Sequence, residues 1–239
     1  MQERKKTLTS LRAVKLWASV CLFILFPIIL SAAVYFEDDF STDKGWTYDT
    51  EWQRGYAAAG GGSAHGNPDP GTDNSPSADN YIAGVVLGGD YSLTTHDQYY
   101  LTSPAIDISS SYSPKLSFYR WLNCDLTAYT RCVVEVSPNG TDWTEIYYNP
   151  GEMTDNSWVY QEFDVSDYKG TGFRVRFGFN VAASAYAYSG WNIDDVIIQD
   201  SGALPTPTQT ATATATETPG GCVAGVFGKN TTGTNYNGF

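Results

Sequence analysis

Histidine and basic residues are scarce in this chain, and their scarcity removes whole classes of function. Among 239 residues there are two histidines, His65 and His96. Neither stands in a His-Glu-x-x-His pair, so the zinc site of a metallopeptidase has no ligands to draw on. Lysine and arginine number 14 against 26 acidic residues, a formal charge of −12. Without residues 1–33, which hold Arg4, Lys5, Lys6, Arg12, Lys15 and Glu3, the balance is 9 basic to 25 acidic and the charge −16. A surface that acidic repels a phosphate backbone, which argues against nucleic acid as a partner. It suits a cation or a neutral ligand, or serves only to keep an exported domain soluble. A serine nucleophile elbow is missing too. Gly61-Gly62-Ser63-Ala64-His65 ends in histidine where that motif has glycine.

Charge is also absent from Leu16 to Phe36. The basic flank before this run and the small residues Ser31-Ala32-Ala33 after it have the layout of a signal peptide over 1–33. Its length, near the ~20 residues that span a bilayer, equally describes an uncleaved anchor. Either way the rest of the chain is expected outside the cytoplasm, secreted or at the cell surface, touching membrane only through this segment. Four cysteines become three beyond Cys21. Cys124 and Cys132 are near enough in sequence to bridge across a strand-loop-strand turn, or to be buried as two small apolar residues. Cys222 has no evident partner.

What is abundant is aromatic and β-branched sequence without helical periodicity. Phe173-Arg174-Val175-Arg176-Phe177-Gly178-Phe179 alternates strictly, with aromatics and Val175 on one face and both arginines on the other. That is a half-buried antiparallel strand. Leu116-Ser117-Phe118-Tyr119 and Cys132-Val133-Val134-Glu135-Val136 alternate similarly. Asn139-Gly140 then predicts a tight turn, with Trp143–Tyr148 as the returning strand. Strands with turn signals between them over 34–202 predict an all-β, two-sheet antiparallel jelly-roll sandwich. Residues 203–220 form a Thr/Pro/Ala-rich linker. Residues 221–239 are too short for a core of their own and read as the start of a truncated further β module.

Read in order, Asp39-Phe40-Ser41, Gly88-Gly89-Asp90-Tyr91, Leu101–Ser109, Val134-Glu135-Val136-Ser137, Asn139–Trp143, Phe163–Tyr168 and Gly190-Trp191-Asn192-Ile193-Asp194-Asp195-Val196 resemble the MAM-like jelly-roll domains of exported bacterial proteins. The set is similar to domains attached to immune-inhibitor-A-type metallopeptidases and to the cleaved-adhesin domains of surface proteases. The resemblance covers about residues 36–199 and implies a concanavalin-like, non-catalytic fold used for adhesion or ligand binding. Ser41 departs from it, standing where the family often has glutamate. No peptidase domain accompanies the match.

Two acidic groups bracket this domain: Glu37, Asp38 and Asp39 at its start, Asp194 and Asp195 at its end. The first and last strands of such jelly rolls commonly lie together. Glu37, Asp39, Asp194 and Asp195 are therefore the candidate ligands of a structural Ca²⁺, which takes six to eight hard oxygens. The alternative is two solvated strand ends. A second oxygen-rich stretch, Asn67–Asn74, lacks EF-hand spacing and reads as a Pro/Gly/Asp surface loop. For ligand contact the candidates are Trp52, Tyr186 and Tyr188, whose rings can stack on a glycan and whose polar tips suit a wet interface. A surface glycan or an extracellular protein is the expected partner. The one enzymatic alternative is a concanavalin-like glycoside hydrolase using Glu162 and Asp164. A retaining mechanism needs two carboxyls about 5–5.5 Å apart. Asp167 stands where such enzymes place a further glutamate.

Overall fold

The computed structural model describes residues 32–76 and 78–202; the N-terminal apolar segment, the linker and residues 221–239 lie outside the described residues. Twelve strands form two antiparallel sheets, as the alternation predicts. They are β1 (Val34–Asp38), β2 (Thr47–Tyr48), β3 (Trp52–Tyr56), β4 (Tyr81–Val85), β5 (His96–Thr102) and β6 (Pro114–Cys124), then β7 (Cys132–Ser137), β8 (Thr144–Tyr148), β9 (Met153–Thr154), β10 (Val159–Asp164), β11 (Arg174–Val181) and β12 (Gly190–Asp200). One sheet runs β10-β6-β12-β4-β3, with β1 also on β12 and β9 also on β6; the other runs β2-β5-β11-β7-β8.

The sandwich closes because each sheet has one apolar face. On β11 Val175, Phe177 and Phe179 are buried, as is Phe173 just before it, with both arginines turned to the opposite face. Across the interface β6 contributes Leu116, Phe118 and Leu122, and β12 contributes Trp191, Ile193, Val196 and Ile198. Phe118 and Trp191 both meet Phe177 edge to face, at 4.9 and 5.8 Å. Burying a large apolar side chain stabilises by about 1.5–3 kcal/mol, so this layer holds the sheets together.

The turn after β7 differs from the expectation. Only Gly140 has positive φ, at 78°. Asn139 instead uses its side-chain oxygen to accept the backbone N–H groups of Thr141 and Asp142, both at 2.9 Å. An asparagine cap thus replaces a two-residue turn and delays the returning strand to Thr144. Cys124 and Cys132 end β6 and begin β7. Both are buried free thiols in contact with each other, and burial raises the Cys132 thiol's pKa.

Candidate functional site

Asp194 and Asp195 can stand side by side in a strand because β12 bulges there. Asp194 pairs with Tyr119 and Ile197 with Ser117, so β12 spends one residue more than β6 across this step. Asp195 is the extra residue, at φ 49°. The bulge also marks a change of partner. Before it, Asn192 and Ile193 pair with β4; after it, Val196–Gln199 pair with β1. A bulge re-aims side chains, and here it aims both carboxylates at the β3–β4 loop.

That loop, described over residues 57–76 and 78–80, lies as a strap across the outer face of the larger sheet. Asp194 accepts the Asn74 backbone N–H at 2.7 Å, and Asp195 accepts the Asn74 amide and the Ser75 hydroxyl at 2.7 and 2.6 Å. Further along, Asp69 accepts the Asn192 amide at 2.6 Å and the Gly88 N–H at 2.8 Å. Trp121 and Trp158 donate their indole N–H groups to the carbonyls of Pro68 and Thr72, each at 3.1 Å. The stretch read as a surface loop is therefore tied down along its length. Gly84 opposes Asn192 in the register; a Cβ there would lie 2.4 Å from the Asn192 side-chain oxygen. Glycine is what lets the Asn192 side chain lie flat beneath the strap.

Burial has an electrostatic cost here. It pushes the Asp194 carboxyl up to about 8, helped by the charges of Asp195 and Asp73 and opposed by the two backbone N–H groups it accepts. Burial likewise pushes Asp69 up to about 7 against its hydrogen bonds from Asn192 and Gly88. Both carboxyls favour the neutral form because transfer out of water penalises the charge.

The expected cation ligands do not gather as one set. Glu37, Asp39 and Asp195 line a hollow of about 360 Å³ with Ser41, Thr42 and Lys44. Asp194 is absent from that lining, because it turns under the strap instead. Among the described residues no three histidine, cysteine or acidic side chains are grouped closely enough to hold a metal. The donors are the oxygen type Ca²⁺ takes, but Lys44 already brings a positive charge, bonding the Glu37 carbonyl and lying 4.0 Å from Asp38.

Of the three aromatic candidates only Tyr186 faces solvent. Trp52 is 4% exposed, packs on Trp191 and Phe179, and donates its indole N–H to the Tyr99 carbonyl. Tyr188 is 2% exposed, with its hydroxyl on Glu152 at 2.7 Å. Both are corrected to core positions. Two residues apart in a strand the tyrosines would share a face; this segment is loop, and its backbone turns Tyr186 outward and Tyr188 inward. Tyr186 is 59% exposed. Its ring stacks on His65 at 4.3 Å, its N–H is held by Asp125 at 2.8 Å, and its carbonyl accepts the Tyr91 hydroxyl at 2.8 Å.

The hydrolase pair fares no better. Glu162 and Asp164 lie on β10, an edge strand, and both are exposed while Phe163 packs on Phe118 and Tyr147. Asp164 is bound to Lys115 at 2.8 Å, and that contact with Ser166's hydrogen bonds holds its carboxyl well below the usual range. Glu162 accepts the Tyr160 hydroxyl at 2.9 Å. Both acids face solvent on the edge strand.

No protein-family model matches the chain. Bacillopeptidase F of Bacillus subtilis (strain 168) is 30% identical over 142 residues, covering 59% of this chain and 9% of that protein. The chain thus spans under a tenth of that relative's length. Among solved structures, the K3 cleaved adhesin domain of Lys-gingipain from Porphyromonas gingivalis aligns at 13% identity and TM-score 0.40, covering 70% of this chain and all of that domain. The CBM22-1 xylan-binding domain of Paenibacillus barcinonensis Xyn10C aligns at 12% and 0.40, covering 72% and 98%. Likenesses this distant carry nothing about this chain's ligand.

Proposed function

We propose that this chain is a non-catalytic recognition module of an exported or cell-surface protein, adhering to a glycan or an extracellular protein. The observation that carries the reading is Tyr186. An exposed aromatic ring is held from three sides, by Asp125 and Tyr91 at the backbone and His65 at the ring. Rings fixed on loops over a rigid sandwich supply contact area at little cost in conformational entropy. On β10 Asp164 is ion-paired to Lys115 and Glu162 accepts the Tyr160 hydroxyl, both facing solvent, which supports a non-catalytic reading. Tyr186→Ala is expected to weaken binding on a glycan array at least tenfold without changing the melting temperature. A full chain that binds neither glycans nor extracellular-matrix proteins overturns the reading.

We propose calcium as a structural cation at the hollow lined by Glu37, Asp39 and Asp195; to hold it these carboxylates must draw closer together than they stand and displace Lys44. Millimolar Ca²⁺ is then expected to raise the melting temperature and a chelator to reverse the rise. Asp39→Asn should abolish the response. An identical melting curve in calcium and chelator removes calcium from the account.

A further inference from the structure

Four aromatic rings on the outer face of the larger sheet belong to neither the core nor the loop end. On β6 Leu116, Phe118 and Leu122 point inward, so Tyr119 and Trp121 point outward. On β10 Phe163 packs inward, so Tyr160 points outward. Tyr160 pairs with Tyr119 in the register and Val159 with Arg120, which sets Trp158 opposite Trp121. The rings meet accordingly. Tyr119 and Tyr160 lie 5.5 Å apart, Trp121 and Trp158 5.9 Å apart, each pair edge to face. Two stacked cross-strand pairs make a patch about 7 Å along the strands and about 5 Å across, before the rings widen it.

Its chemistry is specific. Both indole N–H groups are already donated to strap carbonyls. What remains for a ligand is ring face plus acceptor oxygen, the latter from Glu162, which the Tyr160 hydroxyl bonds. None of the cation–π contacts among the described residues falls on these four rings. Tyr160 is 50% exposed. A site of ring faces and carboxylate acceptors on a chain of charge −12 repels anions and wants hydroxyl donors. A neutral sugar offers both halves: polarised C–H groups that meet the negative face of a ring, and hydroxyls that donate to the acid.

We propose that Tyr119, Trp121, Trp158 and Tyr160 form a stacking platform for a neutral glycan, distinct from the Tyr186 loop end. The proposal rests on the recognition reading but places contact on the sheet face. The strap fixes the tilt of both indoles, so the platform is preorganised before ligand arrives.

The test is calorimetric titration of the full chain with β-1,4-linked hexaoses of glucose, xylose and mannose, alongside Tyr160→Ala, Trp158→Phe and Tyr186→Ala. Tyr160 is half exposed and meets Tyr119 and Glu162, so its removal is expected to leave the melting temperature nearly unchanged. The platform predicts at least a tenfold loss of affinity in Tyr160→Ala and a smaller loss in Trp158→Phe. Loss in Tyr186→Ala alone keeps the recognition reading and overturns the platform. Binding of an oligolysine peptide in place of any hexaose, competed by Tyr160→Ala, overturns the glycan as occupant. No binding of any hexaose by the wild-type chain overturns the platform, and the array with matrix proteins then decides the broader reading separately.

Discussion

The outer faces of the two sheets carry similar residues in opposite states. On the five-stranded sheet the rings are capped by guanidinium groups. Arg176 lies between Tyr100 and Trp143, 3.8 and 3.9 Å from their centroids, and is bound to Glu135 at 2.5 Å. Arg131 covers Tyr148 at 4.3 Å and is bound to Glu145. That face satisfies itself. On the seven-stranded sheet the outward rings of β6 and β10 pair with one another, and none of the cation–π contacts among the described residues falls on them. The difference shows that aromatic content alone does not make a contact surface; what matters is whether the protein has already used the ring faces.

The largest expected effect separates the ion pairs of the two sheets. Arg120 on β6 is bound to Asp155 at 2.9 Å, with side chains only 8% and 11% exposed. Asp155→Ala leaves a buried guanidinium without its carboxylate and should cost about 3–5 kcal/mol in urea unfolding. Glu145→Ala breaks the exposed pair on the other face, whose side chains are 37% and 32% exposed, and should cost about 0.2–1 kcal/mol. Equal costs would erase the distinction between a buried and a solvated pairing.

A smaller effect probes the strap. Gly84→Ala drives a Cβ against the Asn192 oxygen and a Leu87 methyl at 2.4 and 2.6 Å, an overpacking expected to cost about 1–3 kcal/mol. Gly178→Ala makes the matching test on the five-stranded face, where the new Cβ meets the edge of the Tyr100 ring at 2.6 Å and the Gln98 side-chain oxygen at 2.7 Å; a comparable loss is expected there. Protease nicking within 60–76 should accelerate in Gly84→Ala only. No change in nicking would mean that Asn192 does not hold the strap.

A further test is in pH. Asp69 holds its proton in the folded state up to about pH 7, whereas the unfolded chain releases it near pH 4. The folded state therefore binds more protons over that interval, and the Asp69 contribution to stability falls as pH rises from about 4 to about 7, then stays level. Asp69→Asn carries no such term, so its stability relative to wild type should rise across that window. A pH-independent difference between the two proteins would show that Asp69 is ionised in the fold.

Much of this fold is legible in sequence, because the alternation of β11 and the apolar positions of β6 and β12 name their own buried faces. Even the bulge leaves a mark: Ile193-Asp194-Asp195-Val196 breaks the two-residue phase by one position, and the structure resolves that break as a partner change. The site was less legible. Trp52 and Tyr188 look like any surface aromatic until the register turns them inward. The strap depends on contacts between Asn74 and residues 120 positions away, which no local pattern encodes. Tyr119-x-Trp121 and Trp158-x-Tyr160 can each be placed outward from their apolar neighbours, but that they meet is a fact of β6–β10 pairing. The acidic pair invited a metal reading from its charge; that both members also hold the strap is a fact of the fold.

Hydrogen exchange measured by mass spectrometry on the full chain, with and without the hexaose that binds best, tests the contrast between faces most directly. Protection is expected at residues 119–121 and 158–160 and along 67–74, with 96–102 and 174–180 unchanged. Protection confined to the five-stranded sheet would contradict the account.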